Sequence, residues 1–368
     1  MSAISAGPTA RSAVAVPGER GAASAGGLTP ALPRPYRLDV HPRGFGAGEG
    51  LAADARVGLR AGAKWMPPVH FYDERGSALF EEITRLPEYY QGRTELEILE
   101  RVAPALVARH GVAELVELGS GASRKTRALL DAMRGAGTLE RYVPFDVCPE
   151  AILAAASALA EDYPGLDLHG VAGDFGRHLP AVPPRAAGGA RLIAFLGGTI
   201  GNLEPAGRAP FLRSVAALMD DDDVLLVGTD LAGDPGRILP AYDDAAGVTA
   251  QFNLNLLRVM NRELDGDFDL DAFAHVARYD PGPPWIEMRL RAIGRQVVRL
   301  AALDMTVEFA DGEEMRTEIS CKFTRDSVAG MYGEAGLRIV EWHEDPRGWF
   351  AVSLARRASR PGGRPDHA

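Results

Sequence analysis

The run Glu114-Leu-Val-Glu-Leu-Gly-Ser-Gly-Ala-Ser-Arg-Lys-Thr126 leaves this chain few folds to choose from. Val112 to Leu118 is apolar enough, and short enough, for one buried strand. The pattern breaks at Gly119-Ser120-Gly121 and resumes with helical spacing from Lys125 to Met133. A strand that feeds a glycine turn and then a helix is the first unit of a nucleotide-type βαβ fold. Glycines let the backbone approach a ligand closely, and the helix start offers unpaired N–H groups to it. Arg124 stands where the dinucleotide pattern Gly-x-Gly-x-x-Gly has its third glycine, which argues against a nicotinamide cofactor. Gly-x-Gly alone reads equally well as a plain structural turn.

The next strands sharpen the reading. Tyr142-Val-Pro-Phe-Asp-Val-Cys148 is apolar up to Asp146, and an acid at the end of a second strand is placed to accept from both hydroxyls of a ribose. A third apolar stretch, Leu166 to Val171, leads to Asp174-Phe175, an acid to face an adenine amino group and an apolar side chain to pack on the ring. Taken singly, each acid reads as a helix cap or a solvated turn. In strand order the features point to S-adenosylmethionine (SAM).

Composition bounds the rest. The 368 residues suffice for one large or two modest domains plus tails, and the 46% hydrophobic content supports a core. A formal net charge of −10 speaks against nucleic acid, whose phosphates call for a basic surface. The cysteines, Cys148 and Cys321, form no ligand pattern and suit a reducing, cytoplasmic compartment. The eight histidines show no metal-binding spacing, so no metal is expected. No long apolar run suggests a signal peptide or a membrane helix. Residues 1–35, rich in Ala, Gly, Pro and Ser, read as a disordered arm, and 357–368 as a flexible tail.

Residues 36–95 are rich in aromatics, among them Tyr72, Phe80, Tyr89 and Tyr90. Ser77 to Leu86 has helical spacing that Pro87 ends, and Thr94-Glu-Leu-Glu97 reads as a capping box opening a helix to about Arg109. Arg191 to Leu196 is the fourth strand, with Asn202 in the following turn; by motif alone Asn202 is an ordinary turn residue. Pro210 to Met219 reads as a helix and Val224 to Gly228 as the fifth strand, with Thr229-Asp230 at its ligand-side end. From about 231 to 322 the α/β rhythm stops: Tyr242 to Glu263 reads as helix and Asp269 to Phe273 as the start of another. Trp285 to Arg291 and Met315 to Phe323 alternate as half-buried strands. In the latter, Arg316, Glu318, Ser320 and Lys322 share one face, which periodicity alone reads as solvated. Leu337 to Trp342 and Trp349 to Leu354 finish the sheet as a terminal pair.

Five stretches together carry a resemblance: Phe71-Tyr-Asp-Glu-Arg-Gly-Ser, Leu86-Pro-Glu-Tyr-Tyr, Glu117-Leu-Gly-Ser-Gly, Phe195-Leu-Gly-Gly-Thr-Ile-Gly-Asn-Leu and Ala241-Tyr-Asp-Asp. From about Leu59 to Leu354 the chain resembles the SAM-dependent L-histidine Nα-methyltransferases of ergothioneine biosynthesis, which convert histidine to the betaine hercynine. The resemblance implies an α/β fold, a Rossmann-type class I SAM methyltransferase sheet with a smaller α+β substrate-binding domain. That second domain is expected from 36–95 and 231–322, and the methyltransferase domain from 96–230 and 323–356. Gly119, Ser120, Gly121, Lys125, Asp146, Asp174 and Phe175 are implied for SAM. Tyr89, Glu318 and Ser320 are implied for the imidazole, and Asn202 and Tyr242 for the substrate carboxylate, with Asn202 and Tyr72 at the amine. Phe80, Gly197 and Met288 would shape the walls. The partner expected is L-histidine, with neither nucleic acid nor membrane, and the chain is expected to act as a monomer in the cytoplasm. The alternatives are a methyltransferase for tryptophan or another amino acid, and a non-catalytic SAM-binding protein.

Overall fold

A computed structural model describes residues 36–41, 50–121, 123–186 and 188–358. The arm 1–35 lies outside the described residues, as does the tail beyond its first two positions.

The apolar runs become strands at the expected places. After β1 (Tyr36–Val40) come β2 (Val112–Leu118), β3 (Arg141–Asp146), β4 (Asp167–Ala172), β5 (Ala190–Phe195) and β6 (Val224–Asp230). The chain then leaves this sheet for β7 (Phe273–Asp280), β8 (Trp285–Ala292), β9 (Gln296–Leu300), β10 (Met305–Phe309) and β11 (Glu314–Cys321). It returns as β12 (Leu337–Glu344) and β13 (Phe350–Arg357). The large sheet runs β1-β4-β3-β2-β5-β6-β13-β12, with β13 antiparallel to both of its neighbours. β2 is parallel to β3 on one side and β5 on the other, so the strand order reverses between β2 and β5. In open α/β sheets the crevice beyond such a reversal is where ligands bind.

Alternate residues of the central strands feed two cores. Leu192 and Ala194 of β5 pack with the helices Gln91–His110 and Thr126–Ala136, while Ile193 and Phe195 pack with Pro205–Ala216 and Arg325–Glu334. Burial on both faces is why these strands read as continuous apolar runs rather than alternating ones. A third core joins the Leu51–Gly58, Glu74–Ile83 and Val248–Glu263 helices to the antiparallel sheets β11-β8-β7 and β10-β9. β11 ties the parts together. A bulge between Arg316 and Glu318 divides its apolar side, so Met315 lies in the third core and Ile319 and Cys321 in a core of the large sheet.

Several local expectations are corrected. The Gln91–His110 helix starts three residues before the supposed capping box, and Thr94 and Glu95 are buried inside it. The second helix is Glu74–Ile83, capped by Asp73, whose carboxylate accepts from the Gly76 N–H at 2.8 Å. Asp269–Phe273 yields one 3₁₀ turn, Leu270–Ala272, before Phe273 enters β7. The helix expected from Pro210 starts at Pro205 and carries Pro210 inside. No helix among the described residues is long and apolar enough to cross a membrane.

Candidate active site

The glycine turn after β2 is shaped to receive a ligand. Gly119 and Gly121 have φ of 75° and 47°, and a side chain at either would point into open space. The Gly119 and Ser120 amides donate to the Phe145 carbonyl at 2.7 and 3.1 Å, which ties the turn to the end of β3. Asp146 follows there; its carboxylate accepts from the Gly121 N–H at 2.8 Å and the Cys148 N–H at 3.0 Å. The Ser120 hydroxyl is buried and has no partner among the described residues, which suits a ligand-binding turn. Asp174 closes the neighbouring strand end. Its carboxylate caps the short Phe175–His178 helix by accepting from the Gly176 N–H at 2.8 Å, while Phe175 packs on Phe195 and Phe211. Val147, Asp174 and His178 line a cavity at that end. These features fit a SAM nucleoside.

Below the turn, Glu117 is fully buried and accepts from Thr126 and, at 2.7 Å, from the Tyr142 hydroxyl. Burial pushes its carboxyl up to about 7, against the pull of those two donors.

Across the sheet reversal a second cavity gathers every residue assigned to the substrate: Tyr72, Phe80, Tyr89, Gly197, Asn202, Tyr242, Met288, Glu318 and Ser320. They come from far apart in sequence. Tyr72 and Tyr89 flank the Glu74–Ile83 helix, which carries Phe80; Gly197 and Asn202 follow β5, and Glu318 and Ser320 lie on β11 with Met288 opposite Glu318 on β8. The supposed solvated face of β11 therefore closes over the sheet, with Ser320 and Lys322 buried. Glu318 keeps some accessible surface because it opens onto the cavity, although protein surrounds it. Burial raises its carboxyl to about 7, and Lys322 and a hydrogen bond from Asn202 oppose the rise. Burial also holds the Tyr72 hydroxyl well above its ordinary range, and the charges of Glu318 and Asp146 add to this. Tyr72 is thus a neutral hydroxyl in the substrate cavity, within reach of the charges of both Glu318 and Asp146. Its ring meets Phe80 and Phe252 edge-on, with centroids 5.8 and 5.5 Å apart, and Phe80 meets Tyr89 at 6.1 Å. Such ring faces attract an alkylated ammonium.

Two acids support the site without a role assigned from the sequence, although counting puts Asp230 at a ligand-side strand end. Glu95 is fully buried, accepts from the Gly197 N–H at 2.9 and 2.8 Å, and pairs with Lys125, so it spans the reversal from the β5 turn to the helix after the glycine turn. Lys125 is accordingly paired inside the protein. The signal was legible: Glu95 falls on the same helical stripe as Ile98, Leu99, Val102 and Leu106. Removing it by Glu95→Ala strands a buried amide, and a loss of about 1–3 kcal/mol is expected in urea unfolding. An unchanged midpoint would mean the bridge contributes nothing. The other acid, Asp230, ends β6 and accepts from the Tyr90 hydroxyl at 2.8 Å and from Lys322 at 2.8 Å.

Comparison with known proteins agrees with this geometry. A family model described as "Histidine-specific methyltransferase, SAM-dependent" matches residues 51–357. The chain is 54% identical over 311 residues to the histidine N-alpha-methyltransferase of Mycolicibacterium smegmatis, covering 84% of this chain and 96% of that one. It is 51% identical to the enzyme of that name from Mycobacterium tuberculosis, covering 83% and 95%. Ergothioneine biosynthesis protein 1 of Neurospora crassa is 30% identical over 76% of this chain, which spans 32% of that longer protein. A class I methyltransferase sheet, a glycine turn with its strand-end acids and a buried carboxylate in the facing cavity all converge with the family match, and the chain belongs to the SAM-dependent histidine-specific methyltransferases.

Proposed function

We propose that this chain converts L-histidine to hercynine by three methylations of its α-amine, the first step of ergothioneine biosynthesis. The observation that carries this reading is Glu318, a carboxylate surrounded by protein in a cavity beyond the sheet reversal that Asn202 also lines. SAM supplies the methyl group, which passes to an amine lone pair as the sulfonium becomes a neutral thioether. The protein's own task is to align the amine and present it unprotonated, and alignment supplies a large share of such rate enhancements.

Gly119, Ser120, Gly121, Asp146, Asp174 and Phe175 would hold SAM, with Lys125 acting through Glu95 on the turn after β5. Glu318 would accept the imidazole N–H, with Tyr89 and Ser320 beside the ring. The Asn202 amide, in the same cavity as Glu318, would donate to the substrate carboxylate and, through its carbonyl oxygen, accept from the amine and orient its lone pair. Tyr242, whose hydroxyl proton is held by Ser320, would line the carboxylate side of the pocket beside Asn202. Tyr72, neutral and within reach of the charges of Glu318 and Asp146, would contact the amine as its bulk grows, and Phe80, Gly197 and Met288 would set the walls. After three transfers the nitrogen has no lone pair and the reaction stops. The substrate domain in this reading combines 36–95 with 231–322, except that β1 joins the large sheet. The unpaired Cys148 and Cys321 favour a reducing cytoplasm.

The test is to incubate the protein with SAM and each of the twenty amino acids and record product masses. Histidine alone should gain three methyls. Tryptophan turnover at a comparable kcat/KM, or no turnover of any amino acid, would overturn the reading.

A further inference from the structure

Lys322 sits directly behind the substrate cavity and touches none of it. Its side chain is fully buried, and its partner Asp230 is 4% exposed. The ammonium donates to Asp230 Oδ2 at 2.8 Å, to the Tyr242 hydroxyl at 2.9 Å and to Ser320 Oγ at 2.9 Å, which uses all three of its protons. The Tyr242 hydroxyl in turn donates to Ser320 Oγ at 2.7 Å. Ser320 therefore accepts twice, and both lone pairs are taken. Its own proton has no acceptor left among these groups. Because Ser320 lines the cavity, that proton is offered to whatever binds there.

We propose that Lys322, held by Asp230, is a positioning residue that makes Ser320 an obligatory donor to the substrate ring, so that the cavity takes histidine with a neutral imidazole and rejects the imidazolium. The inference rests on the histidine reading above and deepens it. A neutral imidazole has one N–H for Glu318 and one bare nitrogen for Ser320; an imidazolium has two N–H groups and meets Ser320 donor to donor. Burial alone would strip the lysine of its proton, but Asp230 and Tyr242 outweigh it and hold Lys322 charged. Asp230 on β6 also accepts from Tyr90 and Gln91, and its charge is matched by Lys322. The selection is thus one of hydrogen-bond direction more than net charge. The other titratable groups lining the cavity are Glu318 beside Ser320 on β11, Asp230 at the end of β6 with its charge held by Lys322, and Tyr242, Tyr72 and Tyr89 around them.

The experiment compares KM for histidine with KM for 1,2,4-triazolylalanine between pH 7.5 and 5.5. The triazole keeps one N–H and bare nitrogens but does not protonate in this range. Taking the ratio cancels the titrations of Glu318 and of the amine. With an imidazole pKa of about 6.5, roughly one histidine ring in ten is neutral at pH 5.5, so the ratio should rise about tenfold in the native protein. In Lys322→Met it should rise less than twofold, because Ser320 regains a free lone pair. That variant leaves Asp230 buried and unpaired; the double variant Lys322→Met/Asp230→Asn removes both charges and serves if the single one does not fold. A flat ratio in the native protein, or the same tenfold rise in either variant, overturns the inference. Failure of the native protein to methylate histidine even at pH 8 would instead overturn the functional reading beneath it.

Discussion

Glu318→Ala is expected to raise the KM for histidine about ten- to a hundredfold, with a smaller change in kcat. A hydrogen bond to a buried charged group is worth about 1.5–3 kcal/mol, and each 1.4 kcal/mol is about a factor of ten. The same truncation leaves space opposite Met288, so larger aromatic amino acids should gain turnover relative to histidine. The carboxyl lies at about 7 because burial disfavours its charge. An acid raised on folding stabilises the folded state most below its unfolded value near 4.5, and that contribution is lost as pH rises through about 7. The imidazole N–H favours the ionised form, so histidine should bind more tightly as pH rises through the same range. Glu318→Gln should flatten that part of the profile. Steady-state kinetics of both variants decide the matter, and histidine parameters equal to the native ones would remove Glu318 from the site.

Asp146→Ala should act on the other ligand. Its carboxylate stands at the end of β3 and already organises the glycine turn through the Gly121 N–H. Two ribose hydroxyls donating to a charged acceptor, together with the loss of that tether, set the expected loss of SAM affinity at about tenfold to a hundredfold. Histidine KM at saturating SAM should change little, because Asp146 does not line the substrate cavity. Calorimetric titration with SAM reads the effect directly. Native affinity in this variant would contradict the ribose assignment.

How far the molecule could be read in advance depends on the range of the interactions involved. β2, β5 and β6 announce themselves because strands covered on both faces must be apolar at nearly every position, and the glycine turn because positive φ excludes most other residues. Asp146, Asp174 and Asn202 could be placed at strand ends by counting alone. The family motifs added the substrate residues, none of which periodicity singled out. Where local signals competed, they misled. Thr94-Glu-Leu-Glu97 has the form of a capping box, yet tertiary packing buries Thr94 and uses Glu95 to join Gly197 and Lys125. The Asp269–Phe273 stretch loses its helix to the pairing of β7 with β8.

By itself, then, the sequence determined the order of strands and helices, the glycine turn and the chemical types available to a SAM enzyme, because those follow from short-range sterics and from hydrophobic periodicity. Only the tertiary structure decided which polar residues are buried. Glu318, Ser320 and Lys322 alternate like any solvated strand face, and they become a site because β11 is laid across the end of another sheet, against Asp230 and Tyr242. Charge burial is a property of what packs on top, and a stretch of chain carries no record of its cover.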